Sequence, residues 1–161
     1  MRRALVVTVS TRASAGVWED RSGPVLREGL AAMGLEVDGP VVVADGEPVE
    51  AALRDAVAAA YDLAVTTGGT GLTPTDLTPE MTARVVDREI PGVAEAIRAA
   101  GVAKGVPTAM LSRGIAGQAG RTLIINLPGS TGGVRDALAV LADVVPHALD
   151  QIPGSDHPRG D

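Results

Sequence analysis

Gly68-Gly69-Thr70-Gly71, followed by Asp76, joins two opposed chemistries in one run, VTTGGTGLTPTDLTPE (65–80). Three glycines in four positions leave backbone N–H groups unobstructed for phosphate oxygens and make positive φ accessible. A carboxylate beside such a cradle repels phosphate unless a cation lies between them. Asp45 is a second carboxylate, at the end of the preceding apolar segment. Mg²⁺ combines carboxylates, phosphate oxygens and retained waters, so Asp45 and Asp76 together are candidate Mg²⁺ ligands and catalytic groups. Taken singly, each has a plainer use. The glycine cluster suits a tight strand-to-helix turn, Asp76 suits a cap before Thr78-Pro79-Glu80, and Asp45 suits the turn before Pro48.

Two further segments could meet anions. In Asn126-Leu127-Pro128-Gly129-Ser130, Gly129 lets a ligand approach the backbone. Ser130 precedes a helix whose N-terminus favours negative charge by about 0.3–1 kcal/mol. Ser10-Thr11-Arg12 follows the first apolar strand. Trp18 could stack on a flat heterocycle, although a partly buried loop anchor is its commoner role.

Other chemistries are poorly served. The glycine spacing is neither G-x-G-x-x-G nor a P-loop, and the only lysine, Lys104, lies elsewhere. There is no cysteine, which excludes disulfides, thiolate metal sites and a Cys nucleophile. His147 and His157 have no neighbouring ligands for zinc, and no G-x-S-x-G elbow is present. A net charge of −6 and only two aromatic residues, Trp18 and Tyr61, argue against nucleic-acid partners. No apolar run reaches a membrane span of about 18 residues, and Arg2-Arg3 opens a strand rather than a secretory signal. These features imply a soluble, cytoplasmic protein.

The elements that must position these residues follow from the pattern. Strands are expected at 4–10, 35–44 and 62–67, the second bent or at a sheet edge by Gly39-Pro40. A polar loop after the first strand gives way to a helix capped by Ser22 and closed by Gly34. Helices are expected at 49–60, 79–88 and 92–103, the last two split by Pro91-Gly92. MLSRGIAG and RTLIINL, separated by Gln118-Ala119-Gly120, suggest a hairpin. A helix over 133–142 and a further one to about 151 complete a single domain, 1–152, with a flexible tail over 153–161. Alternating strands and helices imply an α/β three-layer sandwich with a mostly parallel central sheet and one late β-hairpin. Its strand ends would gather the four polar segments on one rim.

The chain resembles the MogA/MoaB family of molybdenum-cofactor biosynthesis proteins, which includes the G domains of gephyrin and its plant counterpart. The resemblance spans residue 5 to about 150. It rests on VSTRASAGVWEDRSGP, TTGGTGLTPTDLTPE, IPGVAEAIR and LSRGIAG…RTLIINLPGS. It implies adenylylation of molybdopterin by ATP, giving adenylyl-molybdopterin and pyrophosphate. Asp45 and Asp76 match the family's two essential aspartates. Gly68 to Gly71 match its GGTG loop, and Asn126 to Gly129 its NLPG loop. With Ser10, Thr73 and Ser130 these form the candidate binding set. The resemblance also implies a trimer, sometimes a hexamer, and a MoeA-type molybdate insertase as the recipient of product. Thr75 and Thr131-Gly132 stand where many members carry basic residues. The competing reading is a MoaB-type molybdopterin-binding accessory or carrier protein without turnover. A generic nucleotide-binding regulator is more remote.

Overall fold

The computed structural model describes residues 1–154. Six strands form one sheet: β1 (Arg3–Val9), β2 (Glu36–Val43), β3 (Leu63–Thr67), β4 (Arg88–Glu89), β5 (Ala116–Ala119) and β6 (Thr122–Leu127). Their spatial order is β2-β1-β3-β6-β5-β4. The four from β2 to β6 run parallel, β5 lies antiparallel to β6, and β4 antiparallel to β5. The helices are α1 (Thr11–Ser14), α2 (Ser22–Ala32), α3 (Glu47–Ala58), α4 (Thr78–Ala83), α5 (Pro91–Ala103) and α6 (Thr131–Gln151), with a 3₁₀ turn at Pro107–Leu111.

The unbroken apolar runs of β1, β3 and β6 serve two cores at once, because successive side chains point to opposite faces. Ala4, Val6, Leu63, Val65, Leu123 and Ile125 pack against Leu26 and Leu30 of α2, Ile97 of α5 and the buried stripe of α6. Leu5, Val7, Val9, Ala64 and Ile124 pack on the other side against Val49 and Leu53 of α3 and Met81 of α4. The sandwich is therefore three-layered, as expected, and the parallel ladder aligns the ends of β1, β3 and β6 on one rim. Asp45, beyond the end of edge strand β2, joins them there. The cis Gly39–Pro40 bond lies within that edge strand, where the β1–β2 register shifts.

Several local expectations give way to longer-range contacts. The helix expected over 79–88 stops at Ala83, and Arg88–Glu89 form an edge strand paired with Gln118 and Gly117. Asp87 reinforces the switch, its N–H donating to Gln118 O and its carboxylate accepting from Gly120 N–H. The hairpin exists, but its first strand starts at Ala116 instead of Met110. Pro107 starts a 3₁₀ turn there, and Arg98 Nη1 pins the carbonyls of Ser112 and Gly114. Residues 131–151 form one helix through Pro146. An interior proline costs about 3 kcal/mol, but Val134, Ala137, Leu141, Val145 and Leu149 keep one buried stripe across it, and that burial outweighs the lost bond. Asp20, not Ser22, caps α2, accepting from Gly23 N–H at 2.9 Å. Within the loop after β1, Ser10 caps the short α1 by accepting from Ala13 N–H. The apolar faces of α3 and α6 are spent on the sheet. The expected tail lies, from residue 155 on, outside the described residues.

Candidate active site at the strand-end rim

The loop after β3 is fastened by Gly68 N–H, which donates to Leu127 O at 3.1 Å, and then by its carbonyls. Gly68 O accepts from Thr78 Oγ1 at 2.9 Å, and Gly69 O from Thr78 N–H at 3.1 Å. Thr70 O accepts from Arg113 N–H at 2.8 Å, and Gly71 O from Arg113 Nε at 2.8 Å. Four successive carbonyls are thus held inward. A trans peptide points its C=O and the following N–H in opposite directions. Consistently, the N–H groups of Gly69, Thr70, Gly71 and Leu72 have no acceptor among the described residues. A run of outward amides is an anion-binding concavity.

Sterics require glycine at 68 and 69 and leave little space at 71 and 129. Gly68 has φ +102, and a Cβ there would lie 2.3 Å from Val9 O. Gly69 has φ +68, and its Cβ would lie 2.3 Å from Thr78 Oγ1 and 2.9 Å from Asp45 Oδ1. A Cβ on Gly71 would lie 2.9 Å from Asp76 Oδ2, and one on Gly129 would lie 3.3 Å from Gly68 Cα. The glycine loop is therefore flanked by Asp45 on one side, Asp76 on the other, and the 128–130 loop across the top.

Each carboxylate is oriented by a local contact. Asp45 Oδ2 accepts from Thr11 Oγ1 at 2.8 Å and Thr11 N–H at 3.3 Å, while Asp45 N–H donates back to Thr11 Oγ1 at 3.1 Å. That leaves Oδ1 facing Gly69. Asp76 Oδ2 accepts from Thr73 N–H at 3.1 Å, so Thr73 acts here by shaping the aspartate turn. Neither carboxylate has a salt-bridge partner among the described residues. Nor is there a group of three His, Cys, Asp or Glu able to hold a metal among them. A cation here would take part of its shell from phosphate oxygens and water. That suits Mg²⁺, and the two partly exposed carboxylates fit it.

Two cavities meet at this ridge. One of about 680 Å³ is lined by Gly69, Thr70, Gly71, Asp76, Pro128, Gly129 and Ser130, with α5 and the start of α6 opposite. The other, about 640 Å³, is lined by Ser10, Trp18, Asp20, Arg21, Gly68, Gly69 and Gly129. Trp18 is 58% exposed and carries the Arg12 guanidinium 4.3 Å from its ring centroid. Ser130 Oγ caps α6 by accepting from Gly133 N–H at 3.0 Å, so the helix N-terminus faces the first cavity.

Asn126 departs from its expected role. It is 3% exposed, with its amide nitrogen donating to Thr66 Oγ1 and Thr82 Oγ1 and its Oδ1 accepting from Ile115 N–H. Its side chain ties β6 to β3, α4 and the hairpin and is not available to a ligand. Thr11, from the Ser10-Thr11-Arg12 segment, holds Asp45, while Thr78 and Arg113, which hold the glycine loop, were not among the candidate site residues. Thr78 had a sequence signal in the TPE helix start, but its bonds to the glycine loop did not.

A model described as a probable molybdopterin binding domain matches residues 5–147. A molybdenum cofactor biosynthesis bifunctional protein of Synechococcus elongatus is 40% identical over 96% of this chain and 48% of its own length. The chain thus spans about half the length of the first curated relatives it matches. A molybdopterin adenylyltransferase of Helicobacter pylori is 39% identical, covering 93% of this chain and 87% of its own. Among solved structures, the molybdopterin biosynthesis Mog protein of Mycobacterium ulcerans is 58% identical with a TM-score of 0.90, covering 94% of this chain and 99% of its own.

The steric reading of the loop separates two glycines. Gly46→Ala meets open space at φ +92 and is expected to cost of order 1–3 kcal/mol in backbone strain alone. Gly68→Ala adds a collision with backbone that cannot rotate away, so it should cost more than Gly46→Ala. Urea denaturation of both variants measures the order; equal losses would contradict it.

Proposed function

The chain belongs to the molybdopterin-binding domain family of molybdenum-cofactor biosynthesis, and we propose that it adenylylates molybdopterin with ATP. The observation that carries this reading is the ridge of outward amides between two cavities, flanked by two carboxylates. Each cavity falls in the range of small-ligand sites, about 300–1,000 Å³. Two substrates in adjacent cavities would bring their phosphates together over Gly69. The relatives' names agree with this chemistry.

In the reaction, a terminal phosphate oxygen of the pterin attacks the α-phosphorus of ATP. The new P–O bond forms as the bond from the α-phosphorus to the bridging oxygen breaks, and pyrophosphate leaves with that electron pair. The amides of residues 69–72 hold phosphate oxygens and stabilise the charge that gathers on them. The first turn of α6 offers a second anion site. Asp45 and Asp76 would hold Mg²⁺, which supplies charge neutralisation at the phosphates. Their orientation by Thr11 and Thr73 fixes where that charge lies. Confining both substrates to one ridge supplies proximity. Ser10 lines the second cavity, its Oγ accepting the α1 cap bond while its O–H can still donate.

A second reading, a pterin-binding accessory without turnover, draws on charge. Among the described residues, Arg98 is the only basic side chain lining the first cavity, and Arg21 the only one lining the second. Adenylylation does not require more, because backbone amides and a divalent cation can carry the compensation. The proposed setting is the cytoplasm, with product passing to a MoeA-type insertase. No helix among the described residues is long and apolar enough to cross a membrane.

A homo-oligomer, proposed as a trimer, is supported by an apolar patch. Val102, Val106, Met110 and Leu111 are 38–61% exposed on neighbouring parts of α5 and the 3₁₀ turn. Such a patch is costly in water at about 25 cal/mol per Å².

Asp76→Asn is near-isosteric and removes one charge. It should keep the far-UV circular dichroism spectrum and lower adenylyl-molybdopterin formation by about 100-fold or more, the scale of losing a group that stabilises developing charge. Turnover near the wild-type rate would remove Asp76 from catalysis. ATP affinity should fall on adding EDTA more than pterin affinity does, since unneutralised carboxylates repel the triphosphate. Equal ATP binding with and without EDTA would remove the cation. Sedimentation at micromolar concentration should give three times the chain mass, and a clean monomer would refute the assembly alone.

A further inference from the structure

We infer that Arg113 is a positioning residue that sets the anion cradle and Asp76 in register with each other. This rests on the reading of residues 69–72 as a phosphate cradle. Arg113 touches the site at three backbone points. Its N–H holds Thr70 O at 2.8 Å, its Nε holds Gly71 O at 2.8 Å, and its Nη2 holds Asp76 O at 2.6 Å. Nη1 pairs with the Glu80 carboxylate on α4. One side chain therefore spans the loop from its cradle to its catalytic aspartate and on to the helix beyond.

The geometry of the peptide converts these contacts into function. Holding Thr70 O and Gly71 O inward turns the N–H groups of Gly71 and Leu72 outward, because each pair shares one plane. Thr78 does the same for Gly69 and Thr70 from the other end of the loop. Arg113 thus orients half of the outward amides, that of Gly71 through its backbone N–H and that of Leu72 through its side chain, and only the second is lost on substitution. By holding Asp76 O it also fixes the backbone that carries the carboxylate. Nε and Nη2 are two donors of one rigid planar fork, and a lysine ammonium has no equivalent of that spacing.

Arg113 is itself held in place. Arg98 Nη1 donates to Ser112 O at 3.2 Å and Gly114 O at 2.9 Å, on either side of it. The guanidinium also places a fixed positive charge behind the loop, with its side chain 35% exposed. That charge is paired with the Glu80 carboxylate, so Arg113 acts on the cradle through position.

The test is calorimetric titration with inorganic pyrophosphate, and with Mg²⁺-ATP, of wild type, Arg113→Lys and Arg113→Ala, each checked for fold by circular dichroism. Wild type should bind both ligands. Arg113→Lys keeps the charge and loses the fork, and should bind pyrophosphate about tenfold more weakly, the scale of one charge-assisted hydrogen bond. Arg113→Ala should bind more weakly still and recover affinity in low-millimolar guanidinium but not in tetramethylammonium. A merely structural arginine would not show that selective rescue. Arg113→Lys binding as tightly as wild type overturns the inference, and so does a folded Arg113→Ala that guanidinium fails to restore. Should Arg113→Ala not fold, the lysine variant alone decides. Wild type that binds neither ligand fails one step earlier, at the cradle itself, and takes the inference with it.

Discussion

Three backbones converge at Gly68 with no room for a side chain. The loop after β3 passes so close to the end of β1 that a Cβ would meet Val9 O at 2.3 Å, and Gly129 of the loop after β6 closes from above. Parallel pairing of β1, β3 and β6 brings these ends level. The glycines then let the loops touch. Everything at the rim follows from that contact. It sets Gly69 beside Asp45, leaves a cavity on each side of one ridge, and brings Thr67 Oγ1 to Pro128 O at 2.7 Å, which fastens the upper loop.

The same contact settles an apparent conflict between an anion cradle and two carboxylates. The carbonyls of residues 68–71 are taken by Thr78 and Arg113, so what this stretch leaves unpaired is N–H. Under the proposed function, such a donor surface would meet phosphates even where few cationic side chains line it. Asp45 and Asp76 then stand at its two flanks, each tethered by a threonine, Thr11 for the first and Thr73 for the second.

Much of this was legible in the residues. Runs such as ALVVTVS and TLIINL report strands buried on both faces, and the glycine cluster with Asp45 and Asp76 reports a rim site. What escaped were contacts that no local pattern encodes. Arg113 is 42 residues from Gly71, and Asn126 is 60 residues from Thr66. The first looks like any loop arginine and holds the cradle. The second lies in a loop motif that invites a ligand role and is a buried tie instead. Edge pairing likewise turned Arg88–Glu89 from helix to strand, because strand β5 offered hydrogen bonds that a fraying helix end could not match.

The direct measurement of the central claim is an amide ¹H–¹⁵N titration with pyrophosphate. The account requires the amides of Gly69, Thr70, Gly71 and Leu72 to show the largest, saturable shifts, in the direction of stronger hydrogen bonding. Binding that leaves those four resonances in place while moving others would contradict it.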